Sequence, residues 1–163
     1  MIKGLKKYIP SRETVENYKM LSFLSRHFRG RDYLWEFNQS TVTRATWIGV
    51  FWAIMPMPLQ MLPAVFFSIL LRGNVLVAIA WVWISNPFTM LPILYASYYL
   101  GCHTLGIEFS ANAVSANIHH LASNWHLILL PLVLGAIILG IIASLLSSLL
   151  VWLGYQIFTP SRK

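Results

Sequence analysis

Proline recurs in this chain inside two consecutive stretches apolar enough to enter a membrane, and it recurs in one pattern. Pro58-Leu59-Gln60-Met61-Leu62-Pro63 and Pro87-Phe88-Thr89-Met90-Leu91-Pro92 both read P-x-[Q/T]-M-L-P, 29 residues apart. Trp52 with Trp81, Ser68 with Ser97 and Leu71 with Leu100 keep the same register. Proline donates no backbone hydrogen bond and clashes with the preceding helical turn. Pro56, Pro58, Pro63, Pro87 and Pro92 are therefore the expected structural breaks, each leaving carbonyls without donors. Lipid cannot satisfy such groups, so broken backbone must face protein, water or a solute. Paired broken segments in corresponding halves of a chain are a mark of transporter binding regions.

Composition points the same way. The chain is 57% hydrophobic and 10% charged, where a soluble domain carries about 25% charged residues. Nine of the twelve basic residues (Lys3, Lys6, Lys7, Arg12, Lys19, Arg26, Arg29, Arg31 and Arg44) and four of the five acidic ones lie in residues 1–44. Between Ala45 and Ser161 only Arg72 and Glu108 carry a formal charge. This bias makes residues 1–44 a cytoplasmic arm next to an anionic leaflet. A nucleic-acid tail is the other reading of a basic arm, but continuity with an apolar segment favours lipid headgroups as the partner, and no nucleic acid is expected. The first residues lack the apolar run of a cleavable signal, so the first hydrophobic segment is expected to be retained.

Within the arm, Ser11-Arg12-Glu13-Thr14 offers a helix start and Gly30 a stop. Val15, Tyr18, Leu21, Leu24 and Phe28 recur at helical spacing, with Arg12, Lys19, Arg26 and Arg29 largely off that stripe. The spacing predicts a basic amphipathic helix, lying either in the membrane interface or on the protein's own cytoplasmic surface. Residues 45–163 form the expected membrane domain: a first repeat over about 45–72, a second over about 74–101, a loop over 102–125 and a transmembrane helix over about 126–155. Either repeat is long enough to span ~30 Å of hydrocarbon. Broken at its prolines, either could instead turn back as a re-entrant pair of half-helices. Crossing puts Arg72 on the far side, and turning back puts it with the cytoplasmic cations. In the last helix Ala136, Gly140, Ser144 and Ser148 recur every four residues, a small-residue stripe that admits another helix of this chain or of a second copy.

The candidate ligand-binding residues are the uncharged polar ones in the breaks: Gln60, Ser85, Asn86 and Thr89. They either cap the freed backbone or also present hydrogen bonds to a solute, together with the half-helix ends. Asn86 before Pro87 is a natural Asx-type cap. Metal binding is not expected, since His119 and His120 point apart on a helix and no HExxH or i, i+4 His/carboxylate pair exists. The single cysteine, Cys102, excludes an intramolecular disulfide and a CxxC site. No GxSxG, Walker or GxGxxG motif is present, so neither an enzyme nor a cofactor is expected.

The stretch Met55-Pro56-Met57-Pro58-Leu59-Gln60-Met61-Leu62-Pro63-Ala64, followed by Trp83-Ile84-Ser85-Asn86-Pro87-Phe88-Thr89 and Pro92, resembles the bacterial membrane family catalogued as domain of unknown function 2062. Its pattern is a proline-rich turn ending in Gln or His, then W-[IL]-[SN]-N-P-x-T-x-x-P. The resemblance covers roughly Leu24 to Gly101. The family usually carries a glycine between the first proline and the Gln, where this chain has Met57-Pro58-Leu59, which implies a different kink in the first break. The resemblance implies a small polytopic inner-membrane protein. The glycosyltransferase modules beside the domain in some relatives imply envelope lipid or polysaccharide work. The leading functional expectation is a small transporter or flippase-like protein for a lipid-linked or polar solute, working as a homo-oligomer. The alternative is a non-catalytic scaffold or assembly subunit for an envelope enzyme or transporter complex.

Overall fold

A computed structural model describes residues 32–109 and 125–158; the expected amphipathic helix of the arm and most of the 102–125 loop lie outside them. The described residues are all-helical, with five helices and no strand: a 3-10 turn (Asp32–Leu34), then α1 (Gln39–Ile54), α2 (Met61–Leu71), α3 (Val75–Val82), α4 (Pro87–Leu105) and α5 (Trp125–Phe158).

Local chemistry sets most of these boundaries. Asn38 and Thr41 form a capping box at the start of α1, with Thr41 N–H donating to the Asn38 side chain at 2.8 Å. The helix stops at Met55, extended because Pro56 follows. Asn74 caps α3 through the Val77 N–H, 3.0 Å. Asn86 caps α4, with Pro87 as its first residue. Pro63 falls third in α2, where its missing N–H would be an orphan anyway. Pro92 lies inside α4 and the helix continues through it. Pro63 and Pro92 are therefore not breaks; the chain leaves helix at 55–60 and 83–86. Cys102–Leu105, expected in the loop, belong to α4, which ends where Gly106 turns left-handed.

α1 and α2 form a hairpin with both outer ends at one end of the molecule. There the Asn74 N–H donates to the Thr41 carbonyl at 3.1 Å, the Asn74 side chain donates to the Glu36 carbonyl at 2.9 Å, and the Tyr33 hydroxyl donates to the Ile69 carbonyl at 3.1 Å. Leu34 buries itself against Val65, Ile69 and Val75. α3 then runs back along α1, tied by a bond from Trp81 Nε1 to Thr46 Oγ1 at 3.0 Å. The axis bends 81° between α3 and α4.

α5 holds the halves together. Its later part lies antiparallel to α1: Gln39 donates to the Trp152 carbonyl, and Gly140 faces Phe51 and Met55. Ala136 is buried with Val50, Ile54 and Met55, and Ser144 is fully buried. The stripe Ala136-Gly140-Ser144-Ser148 thus meets this chain's own α1 over Ala136 and Gly140. The earlier part of α5 meets α4 through a second set of small residues one position off that stripe. A Cβ on Gly101 would fall 1.7 Å from the Pro131 carbonyl oxygen, and one on Gly135 would fall 1.7 Å from that of Ser97. Backbones approach this closely only where side chains are absent.

The stretch Ile128–Phe158 is long and apolar enough to cross a membrane, and only 28% of its best window is buried by the rest of the chain. A core helix of a soluble domain would be mostly covered. At ~1.5 Å per residue α5 is roughly 50 Å long. Gly135→Ala is expected to cost about 1–3 kcal/mol through overpacking. Gly154→Ala, where a Cβ meets nothing within 4 Å, should be neutral or stabilising by up to about 1 kcal/mol. Thermal unfolding of both variants in detergent micelles checks this.

Candidate functional site

The two interruptions carry the same sequence pattern but different structures. In the second, Asn86 accepts from the N–H groups of Phe88 (2.9 Å) and Thr89 (3.1 Å), and Thr89 Oγ1 accepts from the Asn86 N–H at 3.0 Å. Helix therefore begins at Pro87. The residue 29 positions before Asn86 is Met57, whose thioether cannot cap in this way. The first copy therefore starts its helix only at Met61, three residues later in register. The uncapped turn passes through Leu59 at φ 61°, a left-handed conformation unusual for a branched apolar residue. This lies within the stretch where the family pattern carries glycine.

The interruptions meet. Ser85 Oγ donates to Gln60 Oε1 at 2.6 Å, sharing its proton with the Val82 carbonyl at 2.9 Å. Gln60 Nε2 donates to the Met55 carbonyl at 2.7 Å, closing the end of α1. One glutamine thus joins the C-terminal end of α1, the start of α2 and the end of α3. Thr89 Oγ1 also donates to the Ile84 carbonyl. Of the four candidate residues, Gln60 and Ser85 touch each other, while Asn86 and Thr89 form a separate cap in the same interruption.

A donor and acceptor inventory limits what could bind here. The N–H groups of Phe88, Thr89 and Met90 all bond to Asn86, and Pro87 has none, so the first turn of α4 offers nothing to an anion. The carbonyls of Met57, Pro58, Trp83 and Ser85 find no donor among the described residues. The interruptions are acceptor-rich and suit a ligand that brings hydroxyl, amide or ammonium hydrogens. They are also open to the outside: Asn86 is exposed, and Phe88 is 91%, Trp83 68% and Leu91 64% exposed.

The 440 Å³ cavity lies elsewhere, lined by Thr43, Arg44, Trp47, Leu71 and Ser148 near the outer end of the hairpin. Sequence reading missed it, because its residues come from three helices and share no motif. Arg72 lies at this same end, closing α2 in a left-handed conformation. His103 stacks on Tyr99 and is exposed, while His119 and His120 lie outside the described residues. Among the described residues no three His, Cys, Asp or Glu side chains cluster as metal ligands.

The model of the family described as uncharacterized protein conserved in bacteria, domain of unknown function 2062, matches residues 24–163, and the chain belongs to that family. No curated protein and no solved structure matches it.

Two measurements probe this geometry. A double-mutant cycle of Gln60→Ala and Ser85→Ala should return a coupling of about 1 kcal/mol, the scale of an interhelical hydrogen bond in a membrane. Leu59→Gly should raise stability by about 1 kcal/mol, because glycine adopts the left-handed turn without its steric cost.

Proposed function

We propose that this family member is a small multi-pass protein of the bacterial inner membrane that acts as a flippase-like or transporter-like device for a lipid-linked or polar solute. The observation that carries this reading is the Ser85–Gln60 bond, formed where two helix interruptions meet beside the middle of the spanning helix. Met55 faces Gly140, and the middle of the Ile128–Phe158 stretch is Ala143, three residues on. With α5 across the bilayer, the interruptions lie near its midplane. Lipid cannot satisfy polar backbone at that depth, so water or a solute must meet it, and a passing headgroup finds hydrogen-bonding partners there in place of hydrocarbon. The free carbonyls favour a headgroup or solute rich in hydroxyl or ammonium donors.

The same placement makes α1–α2 a re-entrant hairpin and α3–α4 a broken span. Arg44 and Arg72, the two basic side chains among the described residues, then lie on one side and Glu108 on the other. With positive charge placed on the cytoplasmic side, this asymmetry supports the topology.

A scaffold reading has its own support. Gln60, Ser85 and Thr89 are already engaged within the chain, and the exposed apolar residues around them, Trp83, Phe88 and Leu91, offer a face for an envelope enzyme or a second copy.

Two experiments test these readings. In a Cys102→Ser background, Arg72→Cys should react with a membrane-impermeant maleimide only from the cytoplasmic side and Glu108→Cys only from the opposite side; labelling of the two from one side contradicts the topology. In vesicles carrying a fluorescent lipid, the protein should accelerate transbilayer movement. Asn86→Ser keeps a cap but removes the amide donor, and should slow that movement about fivefold, the value of one hydrogen bond. Folded, inserted protein that accelerates nothing leaves the scaffold reading.

A further inference from the structure

The cavity formed by Thr43, Arg44, Trp47, Leu71 and Ser148 lies away from the interruptions, near the end of the hairpin where Arg72 also lies. Arg44 is exposed, and its interaction among the described residues is a long 3.5 Å contact from Nη1 to the Leu71 carbonyl. No carboxylate pairs with it there. The nearby Glu36 carboxylate accepts from Asn38 Nδ2 at 2.9 Å instead. The Arg72 guanidinium, next to Leu71, likewise has no partner among the described residues. Thr43 Oγ1 is buried with no hydrogen-bond partner, although a hydroxyl in a helix ordinarily bonds the carbonyl four residues back, as Thr46 does to Val42 at 3.0 Å. That oxygen is closed to water, so it belongs to the packed wall of the cavity and presents no hydrogen bond to its interior.

We infer that this cavity is a binding site for a phosphate ester, specifically the phosphodiester of an anionic glycerophospholipid in the cytoplasmic leaflet. Arg44 supplies a planar fork that matches two phosphate oxygens. Arg72 adds a second positive charge at the rim. Trp47 gives the amphipathic ring that settles at headgroup depth. Leu71, with Leu70 and Phe66 exposed beside it on α2, gives acyl chains an apolar path away from the headgroup. The inference rests on the membrane placement proposed above.

The test is lipid retention by the full chain purified in mixed micelles of phosphatidylcholine and phosphatidylglycerol, read by native mass spectrometry. Wild type should retain phosphatidylglycerol preferentially. Arg44→Gln should reduce that preference about fivefold, the contribution of one basic residue to binding an anionic lipid surface, while Arg44→Lys keeps most of it. Thr43→Val should leave the preference unchanged, because that hydroxyl does not open into the cavity. Inorganic phosphate added as competitor separates the sources: unchanged retention identifies the lipid, and displacement identifies a soluble phosphate ester in the same site. Equal preference in wild type and Arg44→Gln overturns the inference. Failure of the wild-type chain to insert into vesicles overturns the membrane placement instead, so the two failures are distinguishable.

Discussion

On the membrane placement proposed above, every backbone amide and carbonyl that enters hydrocarbon needs a partner in the protein, in water or in a bound solute, and the arrangement of the helices answers that demand. Two apolar segments are interrupted by proline, and each interruption exposes groups that lipid cannot serve. Bringing the two together lets one glutamine close the end of α1 and accept from the serine at the end of α3. The second interruption satisfies its own helix start through Asn86 and Thr89. What remains unpaired among the described residues is a set of carbonyls, with the Asn86 side-chain amide N–H groups beside them. The polar character of the region is therefore weighted toward acceptors, and it favours ligands that mainly donate.

α5 makes this arrangement rigid. It presents two small-residue seams, Pro131 and Gly135 toward α4 and Ala136 and Gly140 toward α1. A single helix can serve both because adjacent seams one position apart point about 100° apart around the axis. The hairpin tip and the bent α3–α4 pair are thereby fixed at the level of its centre. Association of this kind relies on close packing, since lipid tails provide no hydrophobic drive for helices to pair.

Much of the architecture was legible in the sequence. The long final helix follows from its apolar run, expected over about 126–155 and found over Trp125–Phe158. Asn86-Pro87 announced a helix start with a cap, and the structure has one. The proline pattern was less informative than it looked. Pro63 and Pro92 are absorbed into helices because both lie near a helix start: Pro63, third in α2, costs no bond, and the exposed Pro92, sixth in α4, gives up a single one. The repeat in sequence does not give a repeat in structure, since Met57 stands where Asn86 caps. The meeting of Gln60 with Ser85 could not be read from spacing, because it depends on the hairpin folding back. The Arg44 cavity was invisible for the same reason: Thr43, Leu71 and Ser148 come together only through the packing of α1, α2 and α5. The seam at Gly101 and Gly135 did have a signal, Ser97-x-x-x-Gly101 opposite Pro131-x-x-x-Gly135, which the more regular Ala136 stripe overshadowed.

The central claim is that both interruptions lie near the bilayer midplane. Phe88, the most exposed large residue at the second one, is a site where a probe replaces little internal packing. A spin label at Phe88→Cys in a Cys102→Ser background, reconstituted in vesicles, reports depth through its relative relaxation by oxygen and by a water-soluble nickel chelate. The account predicts a depth near the bilayer centre, well below a label at Arg72→Cys. A Phe88 label at headgroup depth or in bulk water would contradict it.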